Sequence, residues 1–111
     1  MRQITAVLSR VIVVVPIAAS LANANAQQIG SVRDGRRLVY AECAECHGVD
    51  RKGYSINPAA PAFDHIANAP GMTSAALTVA LQTSHRSMPN FIIKGRDAQN
   101  IIAYILSLKR K

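Results

Sequence analysis

The sequence predicts an all-α domain, and three observations carry that prediction. Near the C-terminus, Ile101, Tyr104, Ile105 and Leu108 recur at helical spacing. Around residue 31, Ser31 and Asp34 form a capping-box-like start to a stripe of Leu38, Val39 and Tyr40. No stretch alternates polar and apolar residues over a strand's length, and the chain contains no repeat or low-complexity tract. At 111 residues, 50% hydrophobic and 17% charged, the chain is one small domain and too apolar for a disordered tail. Trp is absent and only five residues are aromatic, so the core is short of bulk.

The first segment reads as an address. Arg2 and Arg10 precede an uncharged run from Val11 to Ala22, which leads to Ala24-Asn25-Ala26 with small residues where a signal peptidase reads. The run spans 12 residues and contains Pro16, against about 20 for a membrane-spanning helix. An uncleaved anchor is therefore the weaker reading. The expectation is a secretory signal over 1–26, cleaved after Ala26 or two residues earlier, and a mature domain over 27–111 exported to a bacterial periplasm. Removal of Arg2 and Arg10 leaves 11 basic and 6 acidic residues, a net charge of +5.

The first helix is expected over 31–45. From Gly48 to Pro61 the residues are those of an ordered loop, with Tyr54 and Ile56 its only large apolar members. A short helix fits 61–67. A better one fits 73–81, with Thr73 as N-cap and Leu77 and Leu81 four apart. Residues 84–95 read as extended or looped. Asp97 stands at the start of the final helix, while Lys109, Arg110 and Lys111 follow its end and suit the negative pole of its dipole.

The chemistry is concentrated in Cys43-Ala44-Glu45-Cys46-His47. Cys-x-x-Cys-His is the pattern of covalent c-type haem attachment. On one helical turn, positions i, i+3 and i+4 share a face, so two sulfurs and an imidazole address one planar group. The thiols form thioethers with the haem vinyl groups and His47 becomes the proximal iron ligand. A porphyrin also supplies the apolar bulk the composition lacks. The competing readings are a redox dithiol, which wants a parallel sheet ahead of Cys43, and a structural zinc site, which wants a second ligand pair. The sequence offers neither.

From Gly35 and Tyr40, through Cys43 to Gly48, to Met88-Pro89 and the closing Ala103-Tyr104-Ile105-Leu106-Ser107-Leu108, the mature chain resembles a small bacterial class I cytochrome c. The resemblance implies N- and C-terminal helices packed across each other around one covalently bound haem, crossing at Gly35 and Tyr40 against Tyr104. It implies Met88 as the sixth iron ligand, 41 residues after His47, ahead of His85, Met72 and His65. It also implies that a loop proline, Pro61 or else Pro58, accepts a hydrogen bond from the ligating imidazole through its carbonyl. With no Trp to reach a haem propionate, Tyr54, Arg86 and Asn90 are the candidates for that role.

With His47 and Met88 both bound, iron keeps no open position, and one-electron exchange is the chemistry left. The expectation is a monomeric monohaem carrier, not an enzyme, between a dehydrogenase or respiratory complex and a terminal acceptor. The alternatives are a haem enzyme or gas-binding protein with a labile sixth ligand, and a dedicated subunit of one dehydrogenase complex. Arg51, Lys52, Arg86, Lys94 and Arg96 suit partners with acidic docking surfaces, or else are scattered solubilising charge. No nucleic-acid recognition motif accompanies the basic residues.

Overall fold

A computed structural model describes residues 30–83, 88 and 92–111. Among these residues the chain forms four helices and no strand: α1 (Val32–Glu42), α2 (Phe63–Asn68), α3 (Ser74–Gln82) and α4 (Gly95–Ser107). The all-α class is thus observed. The leader expected over 1–26 lies outside the described residues, as do His85, Arg86, Pro89 and Asn90.

α1 starts where its cap residue dictates. Ser31 has extended backbone, and its hydroxyl accepts the Asp34 N–H at 3.2 Å, satisfying one of the helix's orphan donors. The helix ends at Glu42, three residues short of the expected boundary. The Val39 carbonyl accepts from Cys43 N–H at 2.9 Å and from Ala44 N–H at 3.0 Å, and the second, i to i+5 bond widens the turn and breaks the α ladder.

α2 begins at Phe63, two residues later than expected, because Ala62 is extended. α3 starts on Thr73, whose hydroxyl accepts the Ala76 N–H at 3.2 Å. α4 begins two residues ahead of Asp97 and carries that acid in its first turn, toward the positive end of its dipole.

α4 is the hub, packing along α1 and touching α2 and α3. Val39 and Ile101 are fully buried where α1 and α4 meet. The approach is close because Gly35 has no side chain: a Cβ there would overlap the Asn100 carbonyl and sit 2.9 Å from the Tyr104 Cβ. Buried Asn100 ties the same junction by accepting the Ser31 N–H at 2.8 Å. Tyr40 lies at the rim of this junction, near Tyr104. It is 43% exposed, its hydroxyl bonds Asp50, and the Arg36 guanidinium lies 5.4 Å from its ring centroid.

The basic tail follows the end of α4 directly, and the last turn of the helix itself holds no basic residue. Arg51, from the loop after α1, reaches the end of α4 and donates to the Leu108 and Ser107 carbonyls, each at 3.0 Å. Lys109 instead donates to the Met72 carbonyl at 2.7 Å, and Arg110 pairs with Asp64 at 3.1 Å.

Candidate functional site

The site is built on the turn that follows α1. The Cys43 carbonyl accepts from Cys46 N–H at 3.1 Å and from His47 N–H at 2.9 Å, so the three functional residues share one turn although the regular helix has ended. The i, i+3, i+4 relationship is therefore kept by a single carbonyl. Both cysteines are free thiols, Cys43 buried and Cys46 half-buried. Burial, with the Glu42 carboxylate adding to it, pushes the Cys43 thiol up to about 11. A thiol that attacks in disulfide exchange is shifted the other way, toward neutrality, so Cys43 is a poor attacking thiolate.

His47 is held from two sides. Its Nδ1 lies 2.7 Å from the Pro61 carbonyl oxygen. A carbonyl only accepts, so Nδ1 carries a proton, and in the neutral imidazole Nε2 is then the nitrogen with a lone pair to offer a metal. The Phe63 ring stands 5.2 Å from the imidazole, centroid to centroid, tilted by 46°. Pro58, the other proline of the loop, is exposed.

The loop between Gly48 and Pro61 is fixed by its own hydrogen bonds. Gly48 N–H donates to the Ser55 hydroxyl at 2.9 Å, the Gly48 carbonyl accepts from Phe63 N–H at 2.8 Å, and Asn57 N–H donates to the Cys46 carbonyl at 3.1 Å. Buried Tyr104 donates to the Val49 carbonyl at 2.9 Å and so joins α4 to the segment just after His47. Ser55, Phe63 and Tyr104 are positioning contacts that no local pattern announces, because their partners lie seven to 55 residues away.

Among the remaining candidate ligands, Met88 is half-buried, Met72 packs against the hydrophobic core, and His65 is exposed on α2. Lys52, Lys94 and Arg96 are exposed. Arg51 is exposed too, and its guanidinium hydrogen-bonds the end of α4. Tyr54 is 95% exposed, and nothing in the structure gives it a partner among the described residues.

The donor set fits a haem. Two free thiols and an imidazole whose Nδ1 is taken by a carbonyl, leaving Nε2 as the nitrogen for iron, are what covalent c-type attachment requires. A protein-only metal centre is less well served: among the described residues no three His, Cys, Asp or Glu side chains gather to hold an ion. Among the same residues no helix is long and apolar enough to cross a membrane.

Comparison with known proteins agrees with this chemistry. Residues 30–105 match the family described as cytochrome C oxidase, cbb3-type, subunit III. The chain is 31% identical over 102 residues to a cytochrome c-552 of Bradyrhizobium diazoefficiens, covering 92% of this chain and 95% of that protein. No solved structure matches.

Proposed function

The chain belongs to the cytochrome c domain family described as cbb3-type oxidase subunit III, and from that premise we propose that it is a soluble periplasmic monohaem electron carrier. Cys43 and Cys46 would hold the haem through thioethers, His47 and Met88 would ligate its iron, and the Pro61 carbonyl orients His47. The observation that carries this reading is the 2.7 Å contact between His47 Nδ1 and the Pro61 carbonyl, one turn beyond two free thiols. It fixes the imidazole's tautomer and leaves Nε2 as the metal donor.

The bound group supplies a one-electron Fe(III)/Fe(II) couple. The protein's part is to hold it still. Pro61 and Phe63 confine His47, α1 and α4 set the position of the cysteine turn, and Met88 occupies the remaining coordination position, which excludes water and substrate.

The partners are redox proteins with acidic docking surfaces, a dehydrogenase as donor and an oxidase or other respiratory complex as acceptor. The oxidase in the description of the matched family supports the second of these. Lys52, Lys94 and Arg96 supply exposed positive charge for docking. The protein acts as a monomer and has no role on nucleic acid.

The visible spectrum of periplasmically expressed protein tests the reading. A c-type reduced band together with a weak red methionine-to-iron band in the oxidised form is expected. Secreted protein that folds yet emerges colourless would overturn it. Rapid, complete carbon monoxide binding by the ferrous form at neutral pH would remove Met88 as a stable ligand.

A further inference from the structure

We propose that Asp64, clamped by Arg110, is a positioning residue for His47, so that the C-terminal tail helps set the donor strength of the iron's histidine ligand. The inference rests on the reading of His47 as an iron ligand. It starts from a buried charge. Asp64 is 4% exposed, and its carboxylate accepts from Arg110 Nη2 at 3.1 Å and lies 3.4 Å from Asn68 Nδ2. The tail is fastened a second time where the Arg110 N–H donates to Asn68 Oδ1 at 2.8 Å. Of the ion pairs among the described residues, the other, Arg37 with Asp34, lies on the surface. A buried carboxylate is tolerated only while a partner compensates its lost hydration.

Asp64 is the second residue of a six-residue helix. A helix so short is not stable by itself, and its position is set by what holds its ends. The first turn of α2 carries both attachments. Asp64 takes the clasp, and immediately before it is the wall of the site: Pro61 accepts from His47 Nδ1 at 2.7 Å, Phe63 N–H donates to the Gly48 carbonyl at 2.8 Å, and the Phe63 ring stands beside the imidazole. The clasp and the His47 hydrogen bond are thus three residues apart along the chain. If Asp64 loses its partner it moves toward water and carries Phe63 and Pro61 with it, and the Nδ1–H···O bond lengthens. That bond makes the imidazole a stronger donor and favours ferric iron, so weakening it raises the reduction potential.

The test compares three variants of the haem-loaded protein: Arg110→Gln, Arg110→Lys, and Lys109→Gln. The last cuts the tail's separate tie to the Met72 carbonyl and leaves Asp64 alone. Midpoint potential, the proton resonance of His47 Nδ1–H in the ferrous form, and denaturant stability are measured on each. Arg110→Gln is expected to shift the equilibrium about threefold toward ferrous iron, about 28 mV upward for a one-electron couple, and to move the His47 proton upfield. Arg110→Lys restores most of both, and Lys109→Gln lowers stability and, as the loss of one positive charge, moves the potential down if at all, with the His47 proton unmoved.

The sign is diagnostic, because removing a positive charge by itself lowers the potential. A potential that falls or stays, with the His47 proton unmoved, makes the clasp purely structural and overturns the inference while leaving the proposed function intact. Absence of a c-type spectrum from the parent protein overturns both.

Discussion

Gly35 on α1 lies so close to the Asn100 carbonyl on α4 that no side chain fits between them. Replacing Gly35 with Ala removes a helix-interior glycine, which by intrinsic propensity alone would stabilise α1 by about 1 kcal/mol. The crowding at the crossing works against this and dominates, because the obstructing atoms are backbone. The expected result is a net loss of about 1–3 kcal/mol, read as a lower denaturant midpoint. A gain in stability would refute the close crossing.

Met88 and Met72 are expected to separate cleanly. Met88→Ala abolishes the weak red band of the oxidised protein and gives a ferrous form that binds carbon monoxide at neutral pH. Met72 packs on the core, so Met72→Ala keeps that band and costs about 1–2 kcal/mol of stability. Survival of the band in Met88→Ala, with its loss in Met72→Ala, would reverse the assignment.

Cys43 gives the haem-free protein an alkaline weakness. Burial, reinforced by Glu42, raises its folded-state pKa from 9.0 to about 11, so the folded form holds the thiol proton more tightly than the unfolded chain does. The resulting stabilisation is fully present below pH 9 and is lost as pH climbs from there toward about 11. Denaturant titrations of the haem-free protein should fall across that window, and those of Cys43→Ala should fall less, because buried Tyr104, whose hydroxyl burial also pushes up, remains in both. A thioether has no proton to lose, so the haem-loaded form should lack the Cys43 share of the decline.

Arg51 and the exposed cations Lys94 and Arg96 have different work. Arg51→Gln removes two hydrogen bonds to the carbonyls ending α4 and is expected to cost about 1 kcal/mol. It should leave the salt dependence of electron transfer to an acidic partner close to the parent's. Lys94→Gln combined with Arg96→Gln should do the opposite, slowing transfer at low salt with stability unchanged. Stopped-flow rates across ionic strength, paired with thermal melts, distinguish the two.

Local chemistry is what can be read along the chain. Ser31 and Thr73 name their helix starts because a hydroxyl satisfies an orphan N–H two or three residues on. The apolar spacing of Ile101, Tyr104, Ile105 and Leu108 announces the buried face of α4. The cysteine turn is legible because its chemistry requires adjacent residues, even though the α ladder stops at Glu42.

Where long-range partners fall is a matter of packing. The hydroxyl of Tyr40 bonds Asp50, ten residues on, which its place in the apolar stripe of α1 does not announce. Arg51 reads as a solvated charge in the sequence, and the fold also gives it the carbonyls of residues 107 and 108. Asp64 and Arg110, 46 residues apart, are an ordinary acid and an ordinary base in the sequence. Their pairing follows from the docking of α2 beneath the end of α4, where a carboxylate cut off from water must take the one guanidinium that folding brings to it.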